Sequence, residues 1–263
     1  MERGELNGKV AIVTGSATGI GAAAAIGLAR HGAQVIVNYS KSSAEAAKTA
    51  DAILALGGKA LVVKGDVSSD EDCRKIADEA LKIWGRIDIL VNNAGTTKFA
   101  AHENLEALTA DDFLSIYKVN VVGPYQMIRA ATPALKASGH GAVVNVSSVA
   151  GIAGVGSSVA YAASKGALNT MTLSLARALA PEIRVNAVCP GYVATRWFSD
   201  RFGQETTDRI SKEQAENTPL KRAGMPEDIA DSILFFCLPL SRHVTGELMS
   251  VDAGMHLSLA RGR

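Results

Sequence analysis

The sequence predicts a doubly wound α/β fold, in which a parallel sheet of about seven strands is covered by helices on both faces. Short runs that are apolar over nearly their whole length alternate with helical stretches of ten or more residues along the chain. Strands of this kind are buried on both faces, as in a parallel sheet between helices. No linker rich in Pro or Ser and no tandem repeat interrupts the alternation. We therefore expect one domain over residues 1–263.

The first half of the chain alternates strictly between the two element types. Strands are predicted at residues 9–14, 34–39, 59–64 and 87–91, because these runs are rich in β-branched residues and end at turn signals. Helices are predicted at residues 21–30, 43–56 and 70–84, followed by a mostly helical stretch at 111–137.

The second half continues the pattern with one interruption. Strands are predicted at residues 141–146, 183–188 and 247–251, and helices at 158–179 and from Pro226, where a proline suits the first helical turn. The segment at about residues 195–220 is polar but carries Trp197, Phe198 and Phe202. We expect it to be a substrate lid, with aromatic residues that either suit an apolar or ring-shaped substrate or pack against the sheet edge.

A glycine-rich turn links the first strand to the first helix. Gly15, Gly19 and Gly21 lie where they would let the backbone approach a pyrophosphate at the helix N-terminus. Their spacing, G-x-x-x-G-x-G, differs from the G-x-G-x-x-G of the long-chain dinucleotide folds. A turn of this kind also occurs for structural reasons alone, so the binding prediction depends on further motifs.

Tyr161 and Lys165 are four residues apart on a predicted helix, so they share one face. A free tyrosine titrates near ~10, and one nearby positive charge would lower that pKa by up to ~3 units before desolvation is subtracted. Lys165, joined by an oxidised nicotinamide, could suffice. Ser148, at the end of the fifth strand, could hydrogen-bond a substrate oxygen. Ser147 is the adjacent competitor, and only one of the two can point into a site.

Five motifs occur in order along the chain, namely the glycine turn, Asp66-Val67, Asn92-Asn93-Ala94-Gly95, Tyr161 to Lys165, and Pro190-Gly191 with Thr195. Together they resemble the classical short-chain dehydrogenase/reductase family, and in particular bacterial 3-oxoacyl-thioester reductases. This resemblance implies an NAD(P)(H)-dependent oxidoreductase that interconverts a ketone and a secondary alcohol, with Tyr161 as general acid/base beside Asn120, Ser148 and Lys165. The alternative is a non-catalytic dinucleotide-binding sensor or assembly subunit on the same fold.

By the family pattern, Asp66 and Val67 would hold the adenine, Asn93 and Gly95 would line the ribose region, and Val193 and Thr195 would meet the carboxamide. Each lies at or just beyond a strand's carboxyl end, where open α/β sheets bind ligands. The full set of implied cofactor-binding residues is Gly15, Thr18, Gly19, Ile20, Gly21, Tyr39, Ser40, Lys41, Asp66, Val67, Asn93, Ala94, Gly95, Tyr161, Lys165, Pro190, Gly191, Val193 and Thr195.

The residues after the second strand should decide between the two nicotinamide cofactors. Tyr39, Ser40 and Lys41 bring no carboxylate that would bond the ribose 2′-hydroxyl and repel a 2′-phosphate. Ser40 and Lys41 could both contact such a phosphate. The sequence therefore favours NADP(H), with NAD(H) possible if Lys41 is merely a solvated charge.

Composition excludes several other classes of function. Lys and Arg (27) nearly balance Asp and Glu (26), so no positive field favours nucleic acid or a membrane surface. Neither the five histidines nor the three cysteines have metal-ligand spacing, and we expect Cys73, Cys189 and Cys237 to be buried. Without a signal peptide or a run of ~18 apolar residues, we expect a soluble, cytoplasmic protein with a small-molecule carbonyl or alcohol substrate.

The resemblance also implies partners. Family members commonly form homotetramers through the two long helices, so Ala162, Ala163, Ala167 and Leu168 are either interface or core. Reductases that act on acyl-carrier protein usually carry basic residues just before the fifth strand and at the end of the tyrosine helix, but residues 138–140 (SGH) and 180–182 (APE) lack them. Arg129, Lys136 and Arg177 could supply that charge instead.

Overall fold

The computed structural model describes residues 4–257, so the first three and last six residues of the predicted domain lie outside it. All strands named here belong to one parallel sheet with the order β3-β2-β1-β4-β5-β6-β7, which confirms the doubly wound class. The strands are β1 (Val10–Val13), β2 (Gln34–Tyr39), β3 (Lys59–Lys64), β4 (Ile89–Asn92), β5 (Gly141–Val146), β6 (Ile183–Pro190) and β7 (Leu248–Val251).

Helices connect the strands and cover both faces of the sheet. The connections before β5 are α1 (Gly19–Arg30), α2 (Ser43–Ala55), α3 (Asp70–Trp84), α4 (Ala110–Tyr117) and α5 (Gly123–Ala137). The later helices are α6 (Ala150–Ala153), α7 (Val159–Leu179), α8 (Arg196–Phe202), α9 (Gln204–Asn217) and α10 (Pro226–Cys237).

Each face of the sheet has its own apolar core. Successive strand residues point to opposite faces, so Ile12 joins the core that holds Ile76 of α3, whereas Val13 joins the core that holds Leu28 and the fully buried Phe236. This double burial explains why the strands carry no polar face in the sequence.

The order in which strands are added to the sheet reverses between β1 and β4. The first half builds outward from β1 to β3, and the second half returns to the other side of β1, so β1 and β4 pair with Val13 opposite Val91. Loops that leave these two strands diverge above the sheet, and a crevice opens between them. The glycine turn after β1 and the loop after β4 therefore form neighbouring walls of one cleft.

The stretch 111–137, predicted to be mostly helical, is helical in the structure and contains two α-helices. A π-helical turn at Lys118–Val122 separates α4 from α5. Pro124 lies just after this turn, in the first turn of α5. The short helix α6 was also missed, and β4 begins two residues later than predicted. Between residues 4 and 257, no helix is long and apolar enough to span a membrane.

Candidate active site

A cavity of about 1250 Å³ opens at the carboxyl edge of the sheet. This volume exceeds the ~300–1,000 Å³ of typical single-ligand pockets, so it has room for a cofactor and a second molecule. Most of the predicted site residues line it, namely Gly15, Thr18, Gly19, Ile20, Ser40, Lys41, Asp66, Val67, Asn93, Ala94, Gly95, Ser148, Tyr161, Lys165, Pro190, Gly191, Val193 and Thr195.

Three predicted residues do not line the cavity. Tyr39 packs against the core that contains Leu28, and Asn120 is fully buried behind the cavity wall. Gly21 lies inside the first turn of α1, where an added Cβ would be 2.4 Å from the Asn93 side-chain nitrogen and 2.5 Å from the Gly15 carbonyl oxygen. The glycine is therefore needed for close packing rather than for direct contact with a ligand.

The glycine turn is fixed by buried polar side chains. The Gly15 N–H donates to Asn38 Oδ1 (3.1 Å), while Asn38 Nδ2 donates to the carbonyls of Val63 (3.2 Å) and Gly65 (3.0 Å). On the other side, Asn93 Nδ2 donates to the Gly15 carbonyl at 2.9 Å. Asn38 ties the turn to both β2 and β3, a role that sequence reasoning missed because an Asn at a strand end has no distinctive pattern.

The N-terminus of α1 suits a pyrophosphate. Its N-cap residue, Thr18, makes no side-chain capping bond, and no acidic residue occupies the first turn. The positive end of the helix dipole is thus available to an anion. Gly15 and Gly19 both have positive φ, and a Cβ at Gly15 would be 2.9 Å from the Ala94 Cα. The backbone and its donors therefore fit a dinucleotide cofactor.

Ser40 and Lys41 follow β2 at the same edge of the cavity. Within residues 4–257, Lys41 makes no ion pair, and Glu45 of α2 pairs with Arg196 of α8 (3.1 Å). The lysine charge thus remains available on the cavity wall.

Tyr161 and Lys165 project from α7 toward the end of β5. Ser158 caps this helix by accepting from the Tyr161 N–H (3.3 Å), which fixes the first turn. Lys165 is buried, with Nζ donating to the Val146 carbonyl at 2.8 Å and lying 5.7 Å from the centroid of the Tyr161 ring. The lysine thus lies beneath the ring, between α7 and β5.

Burial dominates the titration of both groups. It raises the pKa of Tyr161 to about 12, although a hydrogen bond with Ser148 acts in the opposite direction. Burial also lowers the pKa of Lys165 to about 8. Lys165 bonds a backbone carbonyl rather than the tyrosine hydroxyl, so a lowering of the Tyr161 pKa by Lys165 together with an oxidised nicotinamide stays a prediction. At neutral pH the phenol holds its proton.

The two adjacent serines separate as the strand geometry requires. Ser147 is buried and its hydroxyl lies 2.6 Å from Asn169 Oδ1 of α7, so it ties β5 to the helix. Ser148 is partly buried, lines the cavity and accepts from the Ala150 N–H at 3.1 Å. Of the two hydroxyls, that of Ser148 interacts with Tyr161.

Asn120 occupies the π-helical turn and connects two walls of the site. Its side chain accepts from the Thr96 N–H (2.8 Å), and donates to the Thr96 carbonyl (2.9 Å) and to Ser164 Oγ (3.0 Å). A Cβ added at Gly95 would be 3.5 Å from Asn120 Oδ1 and 3.9 Å from Lys165 Nζ. The four residues expected from the resemblance are thus grouped around one end of the cavity.

Comparisons with known proteins agree with this geometry. The sequence model described as enoyl-(acyl carrier protein) reductase matches residues 15–256. A protein described as ketoacyl reductase 2 of the granaticin polyketide synthase from Streptomyces violaceoruber is 43% identical over 250 residues, which cover 94% of this chain and 96% of the relative. The chain belongs to the short-chain dehydrogenase/reductase family. It is a nicotinamide-dependent oxidoreductase that interconverts a ketone and an alcohol.

Other relatives differ in the substrates that their names specify. An L-rhamnose 1-dehydrogenase (NAD(P)+) from a Sphingomonas species is 37% identical over 257 residues, covering 97% of this chain and 98% of the relative. The crystal structure of a short-chain dehydrogenase/reductase from Burkholderia xenovorans superimposes with a TM-score of 0.88 at 40% identity, covering 95% and 98% of the two chains. Family membership therefore gives the reaction class without the substrate.

The three cysteines are not among the residues that line the cavity. Cys73, Cys189 and Cys237 are free and buried, and burial raises the pKa of each thiol, to about 12, 11 and 12 respectively. In the part of the chain that the structure describes, no group of three or more His, Cys, Asp or Glu side chains is arranged to hold a metal ion.

Proposed function

We propose that this enzyme uses NADP(H) to interconvert a ketone and a secondary alcohol, with Tyr161 transferring the proton on the oxygen. The observation that carries the proposal is the arrangement of Tyr161, Ser148 and buried Lys165 at one end of a cavity whose other end is the glycine turn. The cofactor supplies the hydride, and the protein supplies binding, orientation and the proton.

The side chains divide the work in a simple way. Tyr161, whose pKa lies at about 12, is protonated at neutral pH and donates to the oxygen as the carbonyl is reduced. Ser148 orients that oxygen and stabilises its developing charge by a hydrogen bond. Lys165 supplies a positive charge beneath the tyrosine ring as the phenolate forms, and Asn120 holds a water that links the lysine to solvent.

Cofactor preference follows from the end of β2. Ser40 and Lys41 lie on the cavity wall with no carboxylate beside them, which suits the 2′-phosphate of NADP(H). Asp66, Val67, Asn93 and Gly95 would enclose the adenosine half. The glycine turn would hold the pyrophosphate, and Val193 and Thr195 would meet the carboxamide.

A fluorescence titration with NADPH and NADH tests this preference. We expect Lys41→Ala to weaken NADPH binding by about tenfold, the loss of one charge-assisted hydrogen bond, and to leave NADH binding unchanged. Lys59→Ala, at the amino end of β3, is the matched control and should change neither. Tighter binding of NADH than NADPH by the unmodified enzyme would contradict the proposal.

An acyl-carrier protein is a less favoured partner. Arg129 pairs with Asp70 of α3, and Lys136 lies 3.9 Å from Glu182, so two of the three candidate cations already face carboxylates. Free ketones and 3-oxoacyl or 2-enoyl thioesters should therefore be compared directly as substrates. Turnover of the thioesters but not of the free ketones would favour the acyl-carrier protein as partner.

We further propose that the chain acts as a cytoplasmic homotetramer. Leu114 of α4, Tyr125 of α5 and Leu173 of α7 are large apolar side chains exposed on the chain. Leu168 and Ala162 are buried within the chain, whereas Ala163 is exposed and available to an interface. Three free thiols suit a reducing compartment. A light-scattering mass of one or two chains would contradict the tetramer.

A further inference from the structure

Five aromatic side chains from three separate segments line the same cavity as Tyr161. Phe99 comes from the loop after β4 and Tyr192 from the loop after β6, while the other three lie on α8. They are Phe99, Tyr192, Trp197, Phe198 and Phe202. The fold therefore brings together rings that lie nearly a hundred residues apart in the sequence.

Four of these rings contact one another in a fixed arrangement. The Phe99 ring lies 5.0 Å from Phe202 and 6.1 Å from Phe198, edge to face in both pairs, and Tyr192 lies 4.8 Å from Phe198. The Tyr192 hydroxyl is 2.9 Å from Ser211 Oγ of α9, which fixes the direction of its ring. These spacings are typical of favourable aromatic pairs, so the rings form one continuous aromatic wall.

The aromatic wall is not part of either core. Phe236 is completely buried in the core that faces α10, whereas Trp197 is 37% exposed and Phe202 39% exposed where they line the cavity. Val155 and Met255 are similarly exposed at the same cavity. Apolar side chains with uncovered surface in a concave site indicate an apolar ligand. The alternative that these aromatics pack against the sheet edge is therefore not what the structure shows.

One ring lies beside the reacting group. The Trp197 ring centroid is 6.2 Å from that of Tyr161, with the two planes inclined by 56°. A substrate carbonyl must lie within hydrogen-bond reach of the Tyr161 hydroxyl. Trp197 is therefore close to the group directly attached to the carbonyl carbon, whereas Phe99 and Phe202 are placed to meet more distant parts of the substrate.

We propose that the substrate is an aryl ketone, in which the carbonyl is bonded to or fused into an aromatic ring system. Trp197 and Phe99 are its specificity-determining residues. A planar ring gains edge-to-face and offset contacts with this wall that a flexible acyl chain or a sugar does not gain. The inference rests on the proposed function and deepens it, because it names the substrate class of the same site.

The test compares two bicyclic ketones of the same skeleton, 1-tetralone and its saturated counterpart 1-decalone. Conjugation makes an aryl ketone intrinsically less reactive, so the readout is the change in the ratio of their kcat/KM values between variants. We expect Trp197→Leu and Phe99→Leu each to lower the tetralone-to-decalone ratio by roughly 2- to 12-fold, the range for one aromatic pair. Trp197→Phe and Phe99→Tyr keep a ring and should retain the ratio.

Phe235→Leu is the matched control, because Phe235 packs against Phe236 on α10 and away from the cavity. It should leave the ratio unchanged, and NADPH fluorescence shows that each variant is folded. An unchanged ratio in both Leu variants, with 1-decalone still reduced in a Tyr161-dependent way, would overturn the substrate class alone. Absence of any ketone reduction by the unmodified enzyme would overturn the proposed function and this inference together.

Discussion

Two walls of the cavity are held in different ways. Buried amides hold the first wall, which is formed by the ends of β1, β2 and β4. Exposed ion pairs and ring contacts hold the second wall, which is formed by α8 and α9. On the first wall, Asn38 and Asn93 bond backbone groups of the glycine turn at 2.9–3.1 Å. On the second, Arg196 of α8 pairs with Glu45 of α2 and with Asp200 in its own helix. We infer that the first wall is rigid and that the second opens as a lid.

This contrast follows from what each wall must do. Buried polar groups left without partners are destabilising, so a network such as that of Asn38 has only one arrangement. Ion pairs between exposed side chains contribute little and break readily in water. A wall that holds a common cofactor benefits from the first construction, and a wall that admits substrate benefits from the second.

The largest expected effect is on the rigid wall. Gly21→Ala places a Cβ 2.4 Å from Asn93 Nδ2 and 2.5 Å from the Gly15 carbonyl oxygen, so the glycine turn must shift. We expect the free energy of unfolding to fall by about 1–3 kcal/mol and the affinity for NADPH to fall as well. Gly166→Ala in α7 is the control, because its Cβ would meet only the Gly151 oxygen at 3.5 Å. Similar melting temperatures and NADPH titrations for the two variants would contradict a rigid turn.

The next prediction compares one hydrogen-bonding side chain from each wall. Asn38→Ala leaves the Gly15 N–H and the carbonyls of Val63 and Gly65 without their side-chain partner. Urea denaturation should show that the free energy of unfolding falls by about 1–2 kcal/mol. Ser211→Ala removes the 2.9 Å contact with the Tyr192 hydroxyl, which still donates a hydrogen bond to the Thr207 carbonyl. The free energy of unfolding should therefore fall by less than about 1 kcal/mol. Equal losses would mean that the two walls are equally fixed.

A pH profile examines the buried Lys165 of α7. Burial lowers the pKa of Lys165 to about 8, so the side chain loses its positive charge as the pH rises through that value. Without the charge, phenolate formation at Tyr161 is less favourable and proton donation slows. The kcat/KM for NADPH, which reports the free enzyme, should therefore decrease above pH 8. Lys165→Met should be slow at every pH with no inflection there, and an inflection that persists in this variant would assign it to another group.

The smallest expected effect is on the lid. Glu45→Gln removes the ion pair with Arg196 (3.1 Å) that joins α8 to α2 across the edge of the cavity. Stopped-flow measurements should show cofactor release that is faster by at most about fivefold, and the difference should diminish at high salt. Glu213→Gln breaks the Arg209 pair within α9 and is the control. A larger effect from the control would mean that the α2 contact does not hold the lid.

Sequence patterns predicted the helices and the reacting side chains better than the contacts that hold the two walls of the cavity. The run 70–84 was predicted with its observed bounds, because Ser69 caps it and Gly85 ends it. Helix periodicity placed Tyr161 and Lys165 on one face, whereas Ser148 was preferred to Ser147 through the resemblance to the family. The pattern did not reveal Asn38, whose importance depends on three backbone groups from distant segments.

The ring contacts of the lid and the pKa shift of Tyr161 could not be predicted from the sequence, because both depend on the three-dimensional structure. Phe99 meets Phe198 and Phe202 only after the loop that follows β4 crosses to α8, and no local periodicity encodes that contact. The direction of the Tyr161 pKa shift depends on burial outweighing hydrogen bonding, and burial is a property of the whole fold. The π-helical turn at Asn120 likewise lies in a stretch that the sequence pattern marked only as mostly helical.

The most direct test is single-turnover reduction of a ketone by pre-bound NADPH in the unmodified enzyme and in Tyr161→Phe. If Tyr161 transfers the proton, the variant should bind NADPH normally, because the phenyl ring keeps its place, and hydride transfer should slow by about 10²- to 10⁴-fold. Hydride transfer at the unmodified rate in Tyr161→Phe, with NADPH still bound, would show that another group supplies the proton and would contradict the account.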